Sequence, residues 1–148
     1  MKKYITLLLA IILIACNFNT SKEKEQVEIT TANETEKFKE LNSEEINQLL
    51  KLKEDDFSAK DVIKLYYPIE INEGEGNETI EISEKTLKNG NTLVTLIHDN
   101  LLDDSIKAKK YILELKNENN RWIVISIKNS WKCREGRGHT NWGIELCK

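Results

Sequence analysis

The residues of this chain that can do chemistry crowd into its last quarter, RWIVISIKNSWKCREGRGHTNWGIELC from Arg121 to Cys147. Arg134 and Arg137 carry planar, permanently charged forks that match the geometry of a carboxylate or phosphate. Gly136 and Gly138 let a backbone approach a bound group closely. Trp142 offers an aromatic face to a sugar or a cation. His139 is a candidate general base. These types in this order point to a site for a small anionic or sugar-like ligand. Catalysis needs more than they supply. No Ser or Cys nucleophile motif surrounds His139. The other histidine, His98, alternates with Val94 and Leu96 as a strand residue does. Residues 99–105 lack the spacing of an EF-hand, and no glycine loop of the Walker or Rossmann kind is present, so no cofactor is expected.

The cysteines take their meaning from the N-terminus. Lys2 and Lys3 precede an apolar run over residues 5–14 that is short for a membrane span. Leu13-Ile14-Ala15-Cys16 follows. This resembles the bacterial lipobox. The resemblance implies cleavage before Cys16, a diacylglyceryl group on its thiol and acylation, palmitate for instance, of the new amine. It implies a lipoprotein anchored to the cell membrane or the outer membrane, facing the periplasm or the cell exterior. Several acyl chains on one residue exceed what stable anchoring requires. With Cys16 assigned to lipid, an even pair remains, and an oxidising compartment implies a disulfide between Cys133 and Cys147. Closing a loop of about 15 residues is worth roughly 3 kcal/mol in the chain-entropy model. A metal held by Cys133, His139 and Cys147 is the alternative, but the spacings are not the usual short pairs, and no metal is expected.

Charge narrows the partners. Without Lys2 and Lys3, the 22 basic and 25 acidic residues leave a mature chain near −5. That argues against a nucleic-acid binder and against a polybasic membrane contact beyond the lipid.

The elements that must position the C-terminal residues follow from periodicity. Residues 1–15 read as signal peptide, and 16–40 as lipidated cysteine and tether, being polar and aperiodic. Residues 41–148 read as one α+β domain. Asn42 or Ser43 caps a first helix carrying Ile46, Leu49 and Leu50. A second starts at Ser58 with Asp61 as a capping-box partner, runs through Val62, Leu65 and Tyr66, and stops before Pro68. Gly74 and Gly76 mark a loop. Four strands are expected at about 78–87, 92–99, 107–115 and from 121 on. Asn89-Gly90 should form a two-residue type I′ turn, and residues 117–120 the third connection. In the last strand Ile123, Ile125, Ile127, Trp131 and Cys133 share one side at period two. The expectation is one or two helices on a four-stranded antiparallel meander with a C-terminal disulfide loop.

In a meander, alternate turns share an end. Residues 68–77, residues 99–105 and the cysteine loop should therefore converge, placing Asp99, Asp103 and Asp104 near Arg134, Arg137 and His139. That arrangement serves either as an internal ion-pair network or as an anion site.

The helix-plus-meander pattern over residues 58–133 is similar to the cystatin-like and nuclear-transport-factor-2-like cone folds, which host many functions. Asp103-Asp104-Ser105 with the later W-K-C-x-x-G-R-G-H-x-x-W and final Cys resembles a group of small exported bacterial proteins of unknown function. The resulting expectation is a lipid-anchored envelope protein with a small, non-catalytic binding domain for a protein or a small anionic ligand. The alternatives are an inhibitor or immunity-type lipoprotein blocking a basic envelope-active enzyme, and an enzyme using His139.

Overall fold

A computed structural model describes residues 36–53, 57–68 and 77–148, all within one compact unit, Ala32–Lys148. The stretch expected to be a signal peptide, Cys16, most of the expected tether and the loop expected at Gly74 and Gly76 lie outside the described residues. The fold is α+β: β1 (Lys39–Leu41), α1 (Glu44–Lys51), α2 (Ala59–Tyr66), β2 (Thr79–Thr86), β3 (Thr92–Asp99), β4 (Ile106–Glu118) and β5 (Arg121–Cys133). The sheet is antiparallel with the order β1-β5-β4-β3-β2.

The last four strands form the expected meander, but the sheet has a fifth. β1 lies partly inside the stretch read as tether and pairs with β5 through Lys39–Asn129, Glu40–Lys128 and Leu41–Ile127. Three residues are too few for alternation to register above background. They are recruited because the free edge of β5 presents unpaired backbone groups that need partners.

Helix starts follow local chemistry. The Ser58 hydroxyl accepts from the Asp61 N–H, and the Asp61 carboxylate accepts from the Ser58 N–H, a complete capping box. At α1 the helix cap is Ser43, which makes no side-chain bond; Asn42 Oδ1 accepts from the Glu44 N–H at 2.7 Å instead. Pro68 follows α2, whose cap is Tyr67.

Ile46, Val62 and Ile63 from the helices pack on Val94, Leu96, Leu113, Leu115, Val124 and Ile127 of the three central strands. Burying one such side chain contributes about 1.5–3 kcal/mol. The stripe of α2 is centred on Val62 and Ile63, both fully buried, with Leu65 half-buried beside them.

Two turn and register expectations are corrected. The β2–β3 connection is not a type I′ turn on Asn89-Gly90. Leu87 N–H donates to the Asn91 carbonyl, and only Gly90 there has a positive φ, so the loop holds three residues. The type I′ geometry belongs to Asn119 and Asn120, with φ 53° and 64°, between the paired Glu118 and Arg121. In β5 the alternation does not run unbroken. Glu114 pairs with Ser126 and Leu115 with Val124, leaving Ile125 as the extra residue of a bulge. The bulge reverses the phase, so Val124 and Ile127 both face the core while Ile125 is 49% exposed.

Candidate functional site

The ends of β3 and β5, and the start of β2 and β4, share one end of the sheet, so residues 99–105 and the cysteine loop converge there with Asn77, the last residue of the first expected segment; residues 69–76 lie outside the described residues. Asn100 Nδ2 donates to the Asn77 carbonyl, Leu102 N–H to Glu78 Oε1, and Arg134 N–H to the Ser105 carbonyl. What they form differs in kind from the expected carboxylate–guanidinium network. Arg134 donates to the backbone carbonyls of Asp103 (2.7 Å, from Nε) and Leu101 (2.6 Å, from Nη2). The Asp103 carboxylate instead accepts from the Ser105 N–H, the Ser105 hydroxyl and the Ile106 N–H. Those backbone donors hold its carboxyl below the usual range. Asp104 is exposed. Arg134 is thus a structural brace between the cysteine loop and the β3–β4 connection.

The loop itself is closed by the Cys133–Cys147 disulfide. Gly138, at φ +150°, leaves no room for a side chain, since a Cβ there would lie 2.8 Å from Cys133 Sγ. His139 is packed inside the loop. Its Nδ1 lies 2.8 Å from the Asn141 carbonyl and its Nε2 3.0 Å from the Glu145 carbonyl. Glu145 Oε2 stands 3.9 Å from Nε2, beyond hydrogen-bond range. Both ring nitrogens face backbone oxygens, so His139 holds the loop and presents no lone pair toward a substrate. Gly143 fits against the ring, where a Cβ would meet it at 2.8 Å. Cys133, His139 and Cys147 place their ligand atoms within 4.8 Å of one another, but sulfurs bonded to each other are not the thiolates a metal takes.

Arg137 is exposed. Among the described residues its guanidinium reaches the Lys148 carbonyl, from Nη1 at 3.4 Å. Trp142 is half-buried and already occupied by cations of its own chain, with Lys110 Nζ 4.2 Å and Lys132 Nζ 4.7 Å from the ring centroid. Lys110 is buried and donates to both Glu36 oxygens, at 2.8 and 2.9 Å. Of the four loop residues expected to meet a ligand, only Arg137 stands outward.

Two features escaped the sequence reading. On the helix face of the same sheet end, the Tyr67 hydroxyl and His98 Nδ1 are hydrogen-bonded at 3.0 Å. His98 Nε2 is buried 3.5 Å from Glu78 Oε1 and has no hydrogen-bond partner among the described residues. Burial, helped by the Glu78 charge, pushes the Tyr67 hydroxyl upward. The spacing of His98 with Leu96 is the available signal, and it locates the strand rather than its partner Tyr67 at the end of α2.

The second feature is a cleft of about 710 Å³ at the opposite end, between the end of α1 and the β4–β5 turn. Leu50, Trp122 and Ile123 supply its apolar wall, and Asn47, Lys51 and Arg121 supply polar groups. Trp122 is held there by a hydrogen bond from its ring N–H to the Phe57 carbonyl, at 2.5 Å. The bulge sets Trp122 on the core-facing side with Val124, and a bulge has no composition of its own to read.

No family model matches this chain, and neither a curated protein nor a solved structure does.

Proposed function

We propose that this is a lipid-anchored cell-envelope protein whose domain binds a small anionic ligand without catalysing its conversion. The anchor reading rests on the Leu13-Ile14-Ala15-Cys16 sequence behind a basic, then apolar, start. It is supported by the Cys133–Cys147 disulfide, which uses the two remaining cysteines as an oxidising compartment requires. The binding reading rests on one observation, the cleft between α1 and the β4–β5 turn. A concave site with apolar walls and a few polar groups is the ordinary form of a small-molecule site. Trp122 gives it a flat apolar wall, and Lys51 at its rim favours a negative charge. Glu118, also at the rim, is held by Lys116 at 2.6 Å.

Two experiments test the two halves. Cys16→Ala should release the protein from membranes or leave its precursor uncut; a membrane-bound variant of normal mature mass refutes the anchor. A panel of small carboxylates and phosphates, screened by thermal shift, should raise the melting temperature of the parent and not of Trp122→Ala. A panel without effect on the parent, or with equal effect on both, removes the cleft as the binding site.

A further inference from the structure

We propose that the disulfide-closed tail, residues 137–148, is the surface on which the domain rests against an anionic lipid membrane. The proposal builds on the anchor at Cys16. Three observations converge on it.

The first is where the chain arrives. Glu36 is fastened to Lys110 beneath Trp142, and Lys37 Nζ meets Glu145 Oε1 at 2.6 Å. The first described residues, Glu36 and Lys37, therefore stand beside the tail, and the segment leading back to Cys16 is attached there. That segment spans at most roughly 70 Å when extended. Attachment through it makes any contact between tail and lipid an intramolecular one, at an effective concentration near millimolar. A weak contact is then enough to be populated.

The second is apolar exposure. Leu146 is 90% exposed and Ile144 37%. They flank Glu145 and precede Cys147, so the disulfide holds them in place. An exposed leucine on a rigid, braced loop loses little freedom on entering a headgroup layer.

The third is charge. Within residues 137–148 stand Arg137 and Lys148 against Glu145, with Lys132 and Arg134 against Glu135 just before them. The whole chain is net −3, so the tail is a local positive region that the total conceals. Arg134 is turned inward to carbonyls, whereas Arg137 and Lys148 are exposed and Lys132 lies along Trp142. The Glu145 carboxylate is neutralised by Lys37 and set well below its ordinary range, at about 2, chiefly by that bond. Basic residues next to a lipid anchor are drawn to anionic headgroups.

The test uses the full chain, purified in detergent and reconstituted into vesicles of 70% phosphatidylcholine and 30% phosphatidylglycerol. A trace of phosphatidylcholine carrying a diazirine near the headgroup is included. After flotation and illumination, lipid adducts should concentrate on the tryptic peptide 138–148. They should be at least five-fold fewer around Leu52, an exposed leucine at the far pole. Leu146→Asp should cut adducts on that peptide, and Arg137→Glu those on the peptide 135–148 that its loss of a trypsin site leaves, each several-fold against the same stretch of the parent while flotation persists; both residues are exposed, so both variants fold. Failure of the parent to float overturns the anchor and this proposal with it. Flotation with equal labelling of the two poles, or labelling that the variants do not reduce, overturns the tail contact alone and leaves the tail to a protein partner.

Discussion

Asn47 on α1 stands in for a strand beside Val124. Its Nδ2 donates to the Val124 carbonyl at 3.0 Å, and its Oδ1 accepts from the Val124 N–H at 2.8 Å. The amide thus reproduces both bonds of a ladder pair at the bulge in β5. Below it β1 pairs with Ile127 and Asn129, Gly143 exchanges two bonds with Trp131, and the His139 carbonyl accepts from Cys133. The outer edge of β5 is satisfied by three separate pieces of chain, α1, β1 and the cysteine loop.

Asn47→Ala should destabilise the domain by about 2–3 kcal/mol, because Val124 is buried and both of its backbone groups lose a partner. Urea melts of the variant and parent provide the comparison. A change below about 0.5 kcal/mol shows that water or β1 replaces the amide.

The two loop arginines should separate cleanly. Arg134→Ala removes two charged donors from the carbonyls of Leu101 and Asp103 and should cost about 2–4 kcal/mol. Arg137→Ala should stay within about 0.5 kcal/mol of the parent, as an exposed substitution does. Thermal melts of both decide, and a destabilised Arg137→Ala contradicts the single long contact to Lys148.

Gly138→Ala should be far more damaging than Gly136→Ala. Both glycines have positive φ, but a Cβ at Gly136 meets nothing within 4 Å, while one at Gly138 strikes Cys133 Sγ. Strain alone makes the first cost about 1 kcal/mol, and the second should reach roughly 2–3 kcal/mol. Breaking the disulfide itself by Cys133→Ser should cost about 3 kcal/mol. Free alkylatable thiols in protein from the envelope would remove the basis of both figures.

Alkaline titration should find Tyr111 late. Burial, then the neighbouring Tyr67 and Tyr66, raises its hydroxyl from an ordinary 10 to about 12. A value raised on folding means stability that is complete below pH 10 and lost as pH climbs through about 12. Ultraviolet absorbance of the phenolate should show this hydroxyl ionising together with alkaline unfolding. Tyr111→Phe should remove the late step and flatten that loss. Normal titration near pH 10 without unfolding argues against the packed cluster of Tyr66, Tyr67 and Tyr111.

The legible parts of the fold were those governed by local chemistry. Ser58 with Asp61 announces a capping box, Pro68 ends a helix, and the alternation of Val94, Leu96 and His98 places β3 at about its observed bounds. The unreadable parts depend on distant chain. β1 exists because β5 has an edge to cover, and the turn type at Gly90 is set by the register of its strands. The candidate site divides the same way. Strand order brought Arg134 to the 99–105 connection as expected. It could not say that the guanidinium would take carbonyls while Asp103 turned to its own backbone. The cleft at Trp122 was hidden because the bulge at Ile125 moves side chains between faces without leaving a mark in composition.

The pairing of β1 with β5 has a consequence in time. The earliest strand of the domain has no partner until nearly all of the domain has been synthesised, and Asn47 likewise waits for Val124. Contacts of such long sequence separation form slowly and cannot form on a partial chain. A growing chain therefore keeps its first strand and first helix undocked. Under the export proposed above that delay would be useful: the polypeptide would stay threadable during its passage, and the late arrival of β5, with Cys133 at its end and Cys147 beyond it, would lock the fold afterwards.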